Sequence, residues 1–268
     1  MPGKAIPSDK TAKRVAALYK AVEETIQNEI NVAIASGKLE QAAYLNETKA
    51  KIQALLQAAE SQAAAATVIE IRNAYGQAGQ KATQLLRDAG ADALKDAFTK
   101  ADIKRLELLI ENATVKFSDI SQLVGRRTDD IFRQVSLEQV TANNSLTRKE
   151  MSASLENALN RAGVTTTNSG GMRMLNVGGR NFQLSNYAEM VARTTPREAA
   201  SRAMVGRILD NNRDLVEISS HSSSCDICSE YDGNIYSLSG SSTEYDQLDE
   251  LPPFHPNCGH VLTPAAIF

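Results

Sequence analysis

Tryptophan is absent from this chain, and phenylalanine and tyrosine bring the aromatic share only to 5%. That scarcity disfavours an aromatic-rich β-sandwich. Apolar residues still reach 42%, so Ala, Leu, Ile and Val must do the packing, a mix that favours helices. No apolar run is long enough for a transmembrane helix, and no membrane association is expected. The opening Met1-Pro2-Gly3-Lys4-Ala5-Ile6-Pro7 lacks the apolar stretch of a signal peptide. Three cysteines make an odd number, which argues against a secreted disulfide framework and for folding in a reducing cytosol. A formal charge of −3 excludes a global basic field drawing the chain onto nucleic acid or an acidic membrane.

What is present is length and helical periodicity. The 268 residues suffice for one large domain or two ordinary ones. Val15, Leu18, Val22, Ile26, Ile30 and Ile34 recur at spacings of three and four, one apolar stripe on a helix, with a stop at Ser36-Gly37-Lys38. A second helical stretch runs through Leu45, Ile52, Leu55 and Leu56 into Ala63–Ala66. A third is predicted over Val68–Ala89, stopping near Gly90 and weakened by Gly76 and Gly79. Ala101–Val115 places Ile103, Leu106, Leu109 and Ile110 on one face. Shorter helices are predicted over Thr128–Val135, Leu137–Asn143 and Thr147–Ala162, the last entered through a cap at Ser145 or Thr147. These stripes read as core faces. An Ala-rich helical arm packing on copies of itself or on another protein is the alternative.

The texture changes at Gly163. Thr165–Gly171 reads as a loop, and Met172–Val177, Gly178-Gly179 and Arg180–Leu184 as a β-hairpin. Two helices are predicted next, Tyr187–Thr194 and Arg197–Asp210, with Pro196 in the first turn of the second. Asn211-Asn212 is a turn, and short strands are expected at Leu215–Ser219 and Asn234–Leu238. The expected fold class is therefore mainly α: a helical N-terminal domain over 1–162, then a small α+β domain over 163–268 ending in a zinc-knuckle-like Cys/His knot.

All three cysteines and all three histidines lie between 221 and 260. Cys225 and Cys228 form a C-x2-C pair, and His255, Cys258 and His260 follow as H-x2-C-x-H. Two sulfur–nitrogen pairs separated by a loop suit tetrahedral zinc, with Zn–S about 2.3 Å and Zn–N about 2.0–2.1 Å. The leading ligand set is Cys225, Cys228, His255 and Cys258, with His260 in reserve as the tighter chelate and His221 as a surface residue. Gly233 and Gly259 are expected where the backbone bends around the ion. The segment has few apolar residues, so a metal would supply folding energy that packing does not. Four or five donors close a shell, whereas catalytic zinc keeps one position open, so the expected cofactor is structural zinc, with iron as the alternative occupant. The competing account is reduced cysteines and solvated histidines held by ordinary packing.

These residues carry a resemblance. Cys225-x2-Cys228, Asp232-Gly233-Asn234-Ile235-Tyr236 and His255-Pro256-Asn257-Cys258-Gly259-His260 resemble the end of tailed-phage minor capsid proteins, a group that includes the Mu F-like head morphogenesis proteins. Upstream, Gly179–Thr194, with Tyr187-Ala188-Glu189-Met190 and Arg193-Thr194, and the strand Leu215–Ser219 resemble the same group. The likeness covers about 163–264. Gly259 departs from it, because the group usually has Arg there. The resemblance implies a structural virion protein in the phage head, present in few but multiple copies per particle and assembled in the host bacterial cytoplasm. It implies association with the portal protein and the major capsid protein, and help in head morphogenesis and in DNA packaging or delivery.

Two other classes compete. Related head proteins are sometimes joined to ADP-ribosyltransferase domains, and Arg193, Ser219-Ser220 and Glu230 can be forced onto that pattern. The simpler account gives each an ordinary place: a helix end, a polar loop, a neighbour of the knot. No enzymatic activity is expected. A DNA-binding packaging or ejection protein is the other alternative. The segment 221–260 has seven acidic residues and no Lys or Arg, which repels phosphates. Contact with packaged DNA would fall to Lys10, Lys13, Arg14 and Lys20, whose ordinary reading is a solvated helix face.

Overall fold

A computed structural model describes residues 8–266, apart from 37, 39–40, 93, 142–147, 167–171, 178, 222–224 and 257. The expected cap at Ser145 or Thr147, most of the loop before Met172, and Gly37, Gly178 and Asn257 lie outside the described residues.

Apolar residues repeated every three or four positions make long helices, and the chain begins with them: α1 (Ser8–Ser36), α2 (Ala42–Asp88), α3 (Lys100–Thr141) and α4 (Arg148–Arg161). On α1 the buried face runs through Val15, Tyr19, Val22, Ile26, Ile30 and Ala33. Leu18, placed on that face by its hydrophobicity, is only half-buried, and Tyr19 takes the position instead.

Three of the expected breaks do not occur along α2 and α3. α2 is one helix of 47 residues where two were expected. Its buried row, Ile52, Leu56, Ala59, Ala63, Ile71, Tyr75, Ala78, Ala82 and Leu86, continues straight past Gly76 and Gly79. A continuous core stripe outweighs about 1 kcal/mol of propensity lost at each glycine. α3 likewise runs unbroken from the Ala101–Val115 stretch through Thr128–Val135 and Leu137 to Thr141, where three helices were expected, with Phe117, Ile120, Val124, Ile131 and Val135 buried on one face. Ile103 is half-exposed, so its share of the anticipated face is solvent-facing.

Helix ends show a shared closure. At the end of α2, Gly90 has φ of 84°, with Gly90 N–H on Arg87 O and Ala91 N–H on Leu86 O. At the end of α4, Gly163 repeats it with φ of 69°. These are Schellman-type ends, which need a left-handed residue just past the helix.

Beyond α4 come β1 (Thr165–Thr166), β2 (Met172–Arg173), β3 (Leu175–Val177) and β4 (Arg180–Phe182). The hairpin β3–β4 pairs Leu175 with Phe182 and Val177 with Arg180. Met172–Arg173, expected in that hairpin, pairs back onto Thr165–Thr166 instead. Then α5 (Leu184–Asp210) runs as a single helix through Pro196. Ala188, Val191 and Ala192 before the proline, and Ala199, Ala203 and Met204 after it, are all buried. Burial on both sides holds the helix together against the lost N–H.

The last part is a sheet of three antiparallel strands in the order β6 (Ile235–Ser237), β5 (Leu215–Ile218), β7 (Leu262–Pro264). β7 was not anticipated. Val216, Ile218 and Leu262 from the sheet share a core with Ala82, Met204, Ile208 and Leu248.

The chain divides into two compact units that interleave along the sequence. The first takes the segment ending at Thr11, Ala66–Ala113 and everything from Met190 on; it carries the sheet and all the cysteines. The second takes Ala12–Ala65 and Thr114–Glu189, with Tyr19 and Phe117 stacked in its core, centroids 6.2 Å apart.

Candidate metal centre

The first half of the site is a tight turn. Ser229 N–H donates to Cys225 O and Tyr231 N–H to Cys228 O, so the chain curls from Cys225 into a short 3-10 turn at Ser229–Tyr231. The backbone N–H of Cys228, and then that of Ile227, donate to the Cys225 sulfur and hold this thiol below its ordinary range. N–H groups aimed at a sulfur stabilise its thiolate, the form that binds metal.

The second half approaches from the other side. Cys258 N–H donates to His255 O at 2.9 Å, forming the turn that presents both side chains. α5 holds this loop: Arg197 Nη1 donates to Cys258 O at 2.9 Å and Thr194 Oγ1 to Pro256 O at 3.4 Å. Ser219 N–H donates to Val261 O and Val261 N–H to Ser219 Oγ, tying the residue after His260 to the end of β5. Tyr231 stacks on Phe254 at 4.0 Å and joins the two halves.

The five expected donors come together as two overlapping groups. Cys225, Cys228 and His255 form one, and Cys228, Cys258 and His260 the other, with donor atoms within 4.8 Å of one another in each. Cys228 belongs to both. His255 Nε2 is 3.4 Å from Cys225 Sγ and 3.3 Å from Cys228 Sγ, and His260 Nδ1 is 3.4 Å from Cys258 Sγ. A tetrahedron with the bond lengths of zinc has sulfur–nitrogen edges of roughly 3.5 Å. Cys228, Cys258 and His260 are buried, whereas Cys225 and His255 are half-buried.

Hydrogen bonds from thiol to imidazole account for such spacings without a metal. One feature has the form of a metal ligand's support. His260 Nε2–H donates to Asp232 Oδ1 at 2.9 Å, which leaves the Nδ1 lone pair facing Cys258. A carboxylate behind a histidine, on the nitrogen away from the cluster, is the usual support of a metal ligand. The donor set therefore fits a thiophilic ion.

The neighbouring residues sort as follows. His221 is exposed, with Nε2 2.9 Å from Ser219 Oγ and its ring edge-on to His260. Gly233 has φ of 75°, as a bend beside the site requires. A Cβ on Gly259 would meet nothing within 4 Å, so no steric need for glycine exists there. Arg193 pairs with Asp9 at 3.3 Å, while Glu230 is exposed. Asp232 is the site residue that sequence reasoning missed as a partner of the knot. Its Asp-Gly turn after a C-x2-C was the available signal. Lys10, Lys13, Arg14 and Lys20 are exposed on α1, as a solvated face requires. No helix among the described residues is long and apolar enough to cross a membrane.

No curated protein and no solved structure matches the chain. The family described as phage minor capsid protein 2 matches residues 8–265, the helical N-terminal part as well as the Cys/His segment. The match spans nearly the whole sequence, so the chain belongs to the phage minor capsid protein 2 family, a family of structural components of the phage particle.

Proposed function

We propose that this chain is a structural minor capsid protein of the phage head, bound to the portal protein and the major capsid protein on its inner side. It assists head morphogenesis and DNA packaging or delivery, and it turns over no substrate. The family match over 8–265 is the observation that supports this reading. The working division stays near Gly163, with a helical part over 1–162 and a minor-capsid-like part over 163–268.

The same proposal closes the C-terminal knot with one zinc ion whose ligands come from Cys225, Cys228, His255, Cys258 and His260. Bound there, zinc supplies folding energy and no reaction. The protein's own work is to gather the donors: the Cys225–Cys228 turn offers two sulfurs, and α5 holds the His255–Cys258 loop through Arg197.

The test is co-sedimentation. Procapsids are assembled from major capsid and portal proteins in the presence of this chain, and separated on a gradient. The chain is expected to travel with portal-containing shells and to be depleted from portal-free ones. A chain that stays at the top of the gradient in both cases overturns the proposal. Equal recovery with and without portal moves the partner to the shell alone.

DNA contact is the second reading, supported by the four exposed cations Lys10, Lys13, Arg14 and Lys20 on α1. It predicts duplex binding that weakens steeply with salt and is lost when those four are neutralised.

A further inference from the structure

The carboxylate of Asp232 has an unusual setting. Gly233, at φ of 75°, turns the chain immediately after it. Oδ1 accepts His221 N–H at 2.6 Å and His260 Nε2–H at 2.9 Å, and Oδ2 accepts Ser220 Oγ–H at 3.3 Å. Two of these three donors belong to the segment leaving β5, and the third is the buried imidazole just before β7. A carboxylate held from the backbone side cannot follow the ring, so the ring must follow the carboxylate. His260 is consequently fixed in one tautomer and one orientation, with Nδ1 aimed at the cluster 3.4 Å from Cys258 Sγ.

His255 differs. It is half-buried, and its Nε2 lies almost equally far from Cys225 and Cys228. An imidazole already oriented and desolvated loses less freedom on binding an ion than one half in water. A structural zinc takes four ligands, and five donors are present among the described residues.

We infer that Asp232 is the positioning residue of the metal knot, and that through it His260 is presented as a ligand beside Cys228 and Cys258. Spacing alone makes the Cys258-x-His260 pair the less usual chelate, and the carboxylate behind its ring offsets that. It rests on the metal reading above. The arrangement also ties the ion to the fold: it joins the exit of β5, the end of the 3-10 turn and the entry to β7 through one side chain.

The test uses the full-length protein and three variants, Asp232→Asn, His255→Ala and His260→Ala, with zinc affinity read by competition against a chromophoric chelator. Asp232→Asn is expected to weaken zinc by about 10–100-fold, the usual effect of losing such a partner. His260→Ala is expected to lose more and to leave nothing further for Asp232→Asn to remove, whereas Asp232→Asn should still weaken zinc in a His255→Ala background. Asp232→Glu should recover part of the loss. Imidazole nitrogen shifts in the zinc-loaded wild type provide a readout that a purely structural role would not move: His260 should show a metal-bound Nδ1 and a protonated Nε2. If zinc binds but Asp232→Asn keeps full affinity, or His260 Nδ1 shows no metal-bound shift, this inference falls while the metal reading stands. If the wild type holds no metal at all, both fall.

Discussion

The Tyr75 hydroxyl, buried on α2, donates to Oδ1 of Asp102 at 2.9 Å, and Asp102 is the third residue of α3. The same carboxylate accepts Thr99 N–H at 2.9 Å through Oδ2, while Asp102 N–H donates back to Thr99 Oγ1 at 3.1 Å. This is a reciprocal cap on the N-terminus of α3, with Asp in the place more often held by Glu. Thr99→Ala is expected to cost about 1 kcal/mol, the usual loss of a cap. Asp102→Ala should cost about 2–3 kcal/mol, because it also strands the Tyr75 hydroxyl. Urea unfolding of the two variants checks the order; equal midpoints for Asp102→Ala and wild type would contradict it.

Glu23 gives a pH prediction. It is buried on α1, and its Oε1 makes no hydrogen bond. Burial pushes its carboxyl up to about 7, Glu24 adds to the rise, and Lys20 pulls back. A carboxyl that holds its proton more tightly when folded stabilises the fold most when protonated. Its contribution is full below the unfolded value of 4.5 and is lost as pH rises through about 7. Melting temperature should therefore fall between pH 5 and 8, by roughly 2–4 °C for each kcal/mol involved. Glu23→Gln should flatten that slope and melt higher at pH 8. A slope unchanged in the variant would remove Glu23 as its source.

Much of this was legible in the sequence, for identifiable reasons. Helix α1 announces itself because Val15, Val22, Ile26 and Ile30 keep one period. The Cys/His segment is legible because its residue types occur nowhere else in the chain. The uninterrupted α5 was not, since Pro196 is a local breaker and only burial on both sides overrules it. β7 is three residues long and ends in proline, too short for any alternation to show. The Thr99-x-x-Asp102 cap was readable but stood beside a run of polar residues that masks helix starts. Asp232 is marked in the sequence by its Asp-Gly turn, but its pairing with His260 shows only once the two fold together.

The shared place of Cys228 ranks the cysteines. It lies in both donor groups, whereas Cys225 lies in one and has His255 3.4 Å away to take over part of its role. Under the metal proposal, Cys228→Ser should abolish zinc retention through gel filtration, and Cys225→Ser should retain a weakened fraction. Elemental analysis of the eluted protein decides. Zinc kept by Cys228→Ser at the wild-type level would displace the centre from this residue.

Arg207 is buried on α5 and donates through Nη1 to Lys95 O at 2.7 Å and Ala97 O at 3.0 Å. It thus holds the connection between α2 and α3 by its carbonyls. Arg207→Ala leaves those carbonyls without their charged donor, at a cost of about 1.5–3 kcal/mol. Limited proteolysis should then cut within residues 89–99 faster than in wild type. An unchanged cleavage rate would show that the connection is held by something else.

One guanidinium sets a condition on how the first unit assembles. Arg197 donates to Asp9 Oδ1 and to the carbonyl of Cys258, residues 188 positions before it and 61 after it along the chain. Loops of that length close slowly, because the entropy of bringing them together comes before any contact rewards it. During synthesis Asp9 emerges long before Arg197, and Arg197 before Cys258, so the bridge cannot form until Cys258 is out. The second unit draws on no residue beyond Glu189 and meets no such delay. A newly made copy should therefore pass through a stage in which the second unit is already folded and the cysteine-bearing unit is still open.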